Sequence, residues 1–333
     1  MTFDFQKKKP ARTPDILLSK LIEKKLTINE SDYLEIKNKI RNIGYFRLSG
    51  YFGPLESSKD IFREGATFQD IIRLYDFDQN LRLLISKALK SIEIGLKTKL
   101  TDTMSLTYES DWYVNRELFM TEKSKPEFIT RYTCQNGEVT SSIEKVETSM
   151  YNSLIKEIQH QIVRNKETEY IKKFKIKYGD SAIVPSWMMM ECISFGALSR
   201  LFLLLKYSPE KKAISTHFGT VSPDILSSWL HGFVVLRNLC AHHARVWNKK
   251  LNKDLTFPKK SSAKFITASN EDNLRKFYGI SGCLLQSLSK ISTELSSDFK
   301  NEFNELVISH GIDKNAMGFP NELESYDIWN ETL

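Results

Sequence analysis

Residues 222–250 read SPDILSSWLHGFVVLRNLCAHHARVWNKK, and their spacing decides the fold. Ser222, Pro223 and Asp224 suit the start of a helix: a hydroxyl for the free amides, a proline with the φ of the first position, and an acid at the positive end of the dipole. At about 100° per residue, Leu226, Trp229, Leu230, Phe233, Leu236 and Cys240 share one face, a core face. His231, Asn238, His242 and Arg245 lie within roughly 60° of one another on a different face. Asn238 and His242, one turn apart, are neighbours. Arg237 is out of place, about 20° from Leu226 on the apolar side. A buried guanidinium needs a carboxylate, a phosphate or another subunit. Glu191 is the candidate carboxylate.

Outward from this stretch the chain reads as more helix. From Asp78 to Leu100, a stripe of Leu81, Leu84, Ile85, Ala88, Leu89, Ile92, Leu96 and Leu100 predicts a long amphipathic helix. Arg82, Lys87, Lys90, Lys97 and Lys99 fall mostly off the stripe, as a solvated face. Shorter helices are expected over 14–25, 67–74 and 30–43, the last with Ser31 as N-cap. A helix over 148–177 gathers Lys172, Lys173, Lys175 and Lys177. The run from Pro185 to Leu205 is apolar nearly all round, which predicts burial, with Glu191 as its exception. Two more helices are expected over 271–293 and 298–309. From Met120 to Met150 the composition turns polar, and Asn136-Gly137 signals a small hairpin or an excursion. The first 14 residues are basic and read as an arm.

Breakers are scarce, 14 Gly and 9 Pro in 333 residues, which favours an all-α fold over a sandwich or propeller. With 41% hydrophobic and 27% charged residues, wholesale disorder is excluded. Glu191 and Arg200 interrupt the most apolar region, so no stretch reads as membrane-spanning. The N-terminus has no apolar run of a signal peptide. Four cysteines lie far apart without a CxxC pair, which predicts reduced thiols in the cytoplasm rather than a disulfide scaffold or zinc ribbon. The formal charge is +7, and residues 244–264 hold seven basic side chains against Asp254 alone. That segment either faces a polyanion such as nucleic acid or is a solvated lysine-rich loop. Ile43-Gly44-Tyr45-Phe46-Arg47-Leu48-Ser49-Gly50-Tyr51-Phe52 also has two readings. It is a bend packing four aromatics into the core, or an aromatic and Arg surface for stacking bases.

Residues on the helix over 222–250 have a chemistry in common. An imidazole can take a proton from a ribose 2′-hydroxyl or give one to the leaving oxygen. A guanidinium stabilises charge on phosphoryl oxygens, and an Asn can orient either partner. This is phosphodiester cleavage that needs no metal when the 2′-hydroxyl attacks, so RNA is favoured over DNA. No metal site or cofactor is expected: His242 and His243 point about 100° apart and no acidic ligand is near. The alternative is a structural Arg237–Glu191 pair beside polar groups at a helix end.

Arg237-Asn238-Leu239-Cys240-Ala241-His242 resembles the Arg-Asn-x-x-x-His motif of HEPN ribonucleases. The longer string through Asn248 resembles the signature of the Abi-like (AbiD/AbiF) abortive-infection proteins. Three further stretches agree in order: Ile43 to Tyr51; Tyr75-Asp76-Phe77-Asp78 leading into Leu81-Arg82; and Pro185-Ser186-Trp187 with Glu191 and Ser194 to Ser199. The resemblance implies a HEPN-like helical bundle, a role in anti-phage abortive infection or toxin–antitoxin behaviour, and metal-independent endoribonuclease activity. It is also similar to the nuclease domains of RNA-guided, RNA-cleaving CRISPR effectors. Carried over by position, Arg237 and His242 are catalytic and Asn238 supports them, with His243 and Arg245 auxiliary or RNA-binding. Such nucleases build one site from two motifs and this chain has one, so a homodimer is implied. Some members associate with a small structured RNA. That would suit the basic segment with Lys249 and Lys250, and the bend with Tyr45 and Arg47 if it is exposed. The expected organisation is an N-terminal arm and short helix over 1–29, the Abi-like domain over 30–255 with an insertion at 120–150, and a helical extension over 256–333. Two other functions fit the residues: an RNA-binding protein that holds a noncoding RNA without cutting it, and a helical scaffold in which Arg237 pairs with Glu191.

Overall fold

The structure, a computed structural model, describes residues 10–121, 125–135, 138–252, 254–260, 263–267 and 270–330. Helices α1 (Pro14–Glu23), α2 (Tyr33–Ile43) and the single turn α3 (Tyr45–Leu48) lead into a short antiparallel pair, β1 (Glu56–Ser58) and β2 (Ile61–Phe62). Helix α4 (Phe68–Tyr108) follows. Strands β3 (Lys125–Gln135) and β4 (Glu138–Thr148) pair antiparallel, from Lys125 opposite Thr148 to Gln135 opposite Glu138. This agrees with a hairpin; the Asn136-Gly137 turn itself lies outside the described residues. The rest is helical: α5 (Met150–Arg164), α6 (Glu169–Tyr178), α7 (Ser186–Cys192), α8 (Phe195–Leu204), α9 (Pro209–His217), α10 (Pro223–Ala241), α11 (Glu271–Leu274), α12 (Phe277–Ile291) and α13 (Thr293–Ser309). The all-α class expected from the sequence is the one observed.

The 41-residue helix α4 is the axis, about 60 Å long at 1.5 Å per residue. It starts with a capping box: the Thr67 hydroxyl accepts from the Asp70 amide at 3.2 Å, and the Asp70 carboxylate accepts from the Thr67 amide at 3.0 Å. Phe77, Leu81, Ile85, Ile92, Leu96 and Leu100 on its stripe are fully buried. Helices α7, α9, α10, α12 and α13 pack around it, and α10 also packs on α8. The separate helices expected at 67–74 and 78–100 are one, because nothing from Leu74 to Phe77 breaks the backbone hydrogen bonding.

Elsewhere helices end where the periodicity continues. The expected helix over 148–177 is α5 and α6, split by a turn at Asn165–Thr168. The run from Pro185 to Leu205 is α7 and α8. Ser194 is extended and its hydroxyl caps α8 by accepting from the Ala197 amide at 3.2 Å, so the chain restarts there. Nor is that run wholly buried, since Trp187 is 50% exposed. Ser31 does not cap α2: it sits in a 3-10 turn, Glu30–Asp32, and donates to Asp32. Arg82, expected on the wet face of α4, is only 5% exposed.

Among the described residues, no helix is long and apolar enough to cross a membrane. Cys192, Cys240 and Cys283 are free thiols.

Lys211 of α9 closes the end of α8. Its ammonium, 5% exposed, donates to the Leu203 carbonyl at 3.0 Å and to that of Leu205 at 2.6 Å. A cation there meets the negative end of the helix dipole. Burial nevertheless pushes its pKa down to about 8 from the ordinary 10.5. Between those values the unfolded chain binds more protons than the folded one, so this group adds stability as pH rises through the window. Lys211→Met removes the titration. In urea unfolding the lead of wild type over the variant should therefore widen from about pH 7.5 to about pH 9.5. A difference that stays flat with pH would refute the assignment.

Candidate functional site

Helix α10 begins as its sequence dictates, with the Ser222 hydroxyl accepting from the Ile225 amide, Pro223 in the first turn and Asp224 beside it. Leu226, Trp229, Leu230, Phe233, Leu236 and Cys240 are buried. The helix closes in a Schellman arrangement. The Ala244 amide donates back to Leu239 O at 2.8 Å and the His243 amide to Cys240 O at 3.1 Å. His243 takes the left-handed position, φ +54°, where glycine is the usual occupant. The chain then turns inward and buries Val246 and Trp247.

What holds this turn is Asp78, a fully buried carboxylate on α4. Its Oδ1 accepts from the Val246 amide at 3.0 Å and from the Trp247 amide at 2.6 Å. Its Oδ2 accepts from the Tyr51 hydroxyl at 2.7 Å and from the Arg82 guanidinium. Tyr51 stacks on Trp247, ring centroids 6.3 Å apart. Burial and the adjacent Asp78 push the Tyr51 phenol up, so it stays a neutral donor. Two guanidiniums tie the same segments from outside: Arg47 donates to His243 O at 2.6 Å, and Arg245 to Gly50 O. The bend around Gly44–Tyr51 and the segment after α10 thus each supply an arginine to the other's backbone.

The three residues expected to be catalytic stand together in solvent. Arg237, Asn238 and His242, with His243, are exposed at the last turn of α10, and their side chains make no hydrogen bond or ion pair among the described residues. Exposure of Arg237 corrects the expectation of a buried guanidinium. Over the last turns burial narrows to Leu236 and Cys240, and the edge of the stripe that carries Arg237 and Ala241 emerges into water. The desolvation that called for a carboxylate is absent. Glu191, exposed on α7, forms no ion pair with Arg237 among the described residues.

The expected RNA-binding residues divide. Arg47 and Arg245 each commit part of the guanidinium to a carbonyl, leaving further N–H donors of the five. Lys250 is paired with Asp272 at 2.6 Å, while Lys249 is half-buried. The bend is neither wholly core nor wholly surface: Tyr51 and Phe52 are buried, Tyr45 is half-buried and Phe46 is 92% exposed.

Asp78 and Arg82 had no individual functional role in the sequence, and Phe46 had one only as part of the bend that offered a stacking surface. A signal existed for the first two. Asp78 and Arg82 are one turn apart and lie on the same stripe as Ile85 and Leu89, where an acid and a base together imply a buried pair.

Chemically, the arrangement offers an imidazole, a guanidinium and a carboxamide on one open helix end, which a polymer can approach. Cys240, inside the same six residues, is no nucleophile near neutrality, since burial pushes its thiol up to about 12. Among the described residues no group of three or more His, Cys, Asp or Glu side chains could hold a metal ion.

The family model described as Abi-like protein matches residues 38–248, a span that contains both the bend and the end of α10. No curated protein and no solved structure matches the chain.

Two substitutions test the bracing. Asp78→Ala leaves Arg82 buried without its partner and two amides unpaired, and should cost about 3–5 kcal/mol in chemical unfolding. His243→Gly relieves the left-handed backbone and should gain about 0.5–1 kcal/mol. A loss on glycine substitution would mean that the His243 side chain itself supports the fold.

Proposed function

The chain belongs to the Abi-like protein family, and from that membership and the open end of α10 we propose an abortive-infection protein that acts as a metal-independent HEPN-type endoribonuclease. The observation that carries this reading is the placement of Arg237, Asn238 and His242. They are together, solvent-facing and without internal partners, on a helix end braced from behind by Asp78. A structural role would have given the guanidinium a carboxylate.

In this reaction a ribose 2′-oxygen attacks the adjacent phosphorus and the bond to the 5′-oxygen breaks. The 2′-hydroxyl proton goes to a base, and the leaving oxygen takes a proton from an acid. His242 serves as one of these, Arg237 stabilises the charge on the non-bridging oxygens, and Asn238 orients the pair. The products carry a 2′,3′-cyclic phosphate and a 5′-hydroxyl. With one motif per chain, the second imidazole comes from a second copy, so the active form is a homodimer. His243, Arg245, Lys249, Lys250, Tyr45 and Arg47 border the path of the RNA, and a small structured RNA that occupies it restrains the activity. The other reading, a protein that retains a noncoding RNA without cutting it, is favoured by the single motif.

Arg237→Ala and His242→Ala should each reduce cleavage at least about 100-fold and abolish growth arrest. Both residues are exposed, so melting should move little. Chelators should leave wild-type cleavage intact, and a 2′-deoxy nucleotide at the cut should block it. Wild-type rates in both variants would sink the site assignment. RNA that copurifies with the wild type but acquires no new ends would select the non-cutting reading.

A further inference from the structure

An open cleft of about 770 Å³ lies beside the end of α10, a volume within the range of small-ligand sites. Arg12, Lys20 and Lys24, from α1 and the residues just before it, line one part, and Tyr45 and Phe46 of the bend line another. Arg245, two residues beyond His243, lines it too. The cleft is thus joined to the helix end by the two arginine clamps: Arg47, next in sequence to Phe46, holds the His243 carbonyl, and Arg245 holds Gly50.

Three features of the cleft bear on what it could hold. Phe46 presents its ring to water at 92% exposure, where it packs nothing. Arg12 and Lys20 form no ion pair among the described residues, the Lys20 ammonium lying 6.0 Å from the centroid of the Tyr45 ring, whereas Lys24 is neutralised by Asp60. The Tyr45 hydroxyl, out of reach of water, has no hydrogen-bond partner. A flat apolar face with two cations that no carboxylate among the described residues neutralises matches a ligand that has a flat face and an anion in every unit. Single-stranded nucleic acid is such a ligand. The remaining carboxylate in the cleft, Glu56, would repel a phosphate but can accept from a base N–H.

We propose that the cleft holds one unpaired nucleotide of the bound RNA, its base stacked on Phe46 and its phosphate against Arg12 and Lys20, next to the linkage presented to Arg237 and His242. The position of the scissile linkage rests on the nuclease reading; occupation of the cleft does not. The occupant threads past the clamps, so the strand enters single-stranded and only a loop or an unpaired segment can be presented to the end of α10.

The probe is a short single-stranded RNA with a photoactivatable 4-thiouridine, bound to the full chain carrying His242→Ala. Crosslinks should map to the peptide containing Tyr45 and Phe46. In fluorescence anisotropy Phe46→Ala should weaken binding about 5- to 150-fold, as loss of one stacked base does, while Phe46→Trp retains it. Because Phe46 packs nothing, the melting temperature should not change. Arg12→Ala with Lys20→Ala should weaken binding and lower the salt slope by about 0.7, the value for one neutralised phosphate on a single strand. A double-stranded RNA of the same sequence should bind without the Phe46 dependence. Wild-type affinity in Phe46→Ala, or crosslinks confined to other peptides, would overturn the proposal. So would a change in sedimentation on Phe46→Ala with RNA binding intact, which would make the ring a protein contact. Absence of any RNA binding would overturn both this proposal and the nuclease reading. Full cleavage by His242→Ala with the Phe46 effects in place would remove only the latter.

Discussion

A single carboxylate, fully buried on the longest helix, sets where the open end of α10 points. Asp78 is tolerable in the interior because both its oxygens are used: two backbone amides on one, a phenol and a guanidinium on the other. Its partners come from three distant parts of the chain, the bend at Tyr51, α4 itself, and the segment at Val246 and Trp247. Hydrophobic packing alone could let those parts slide. A carboxylate with four directed contacts cannot exchange one partner without stranding another. The left-handed His243, an unfavourable conformation for a side chain, persists because the chain on its far side is pinned three residues later, at Val246.

The polar residues of this region therefore do two different jobs. Asp78, Arg82 and Tyr51 are satisfied and out of solvent. Arg237, Asn238 and His242 are unsatisfied and in it. The first group makes the second rigid from behind without consuming any of its hydrogen-bonding capacity. Arg47 and Arg245 fall between, each spending one donor on a carbonyl and so fastening the bend to the helix end from the outside.

Much of the fold was legible because its signals are local. Sparse breakers, the stripe on α4 and the Ser-Pro-Asp start of α10 each depend on a few adjacent residues, and each gave the right element. What failed required knowledge of neighbours. A helical wheel treats the surroundings as uniform along the axis, which placed Arg237 in the core although burial narrows to Leu236 and Cys240 over the last turns. Arg82 was put in water for its charge, although the wheel sets it on the buried stripe beside Asp78. In the bend, composition could not divide four aromatics between core and solvent; that depends on where α1 and α4 leave room. The break at Ser194 was hidden because a capping serine inside an apolar run looks like a tolerated polar residue.

On the proposed function, charge is a weaker guide to a path for RNA than geometry. The basic stretch at 244–264 is partly spent internally, since Lys250 pairs with Asp272 and Arg245 donates to Gly50 O. The cations without a carboxylate partner beside the end of α10 include, among the described residues, Arg12 and Lys20, far away in sequence. On the nuclease reading this matters for the chemistry as well. In-line displacement places the attacking and leaving oxygens on opposite sides of phosphorus, so one imidazole fixed at the end of one helix cannot attend both. A second copy can supply the other only if the end of α10 is unobstructed, and the exposed turn at Arg237–His243 meets that condition. The strand must then be fixed by something other than the reacting residues, or the linkage would not stay between the two copies. A stacked base beside each helix end provides that restraint, and it does so without competing for the groups that move protons.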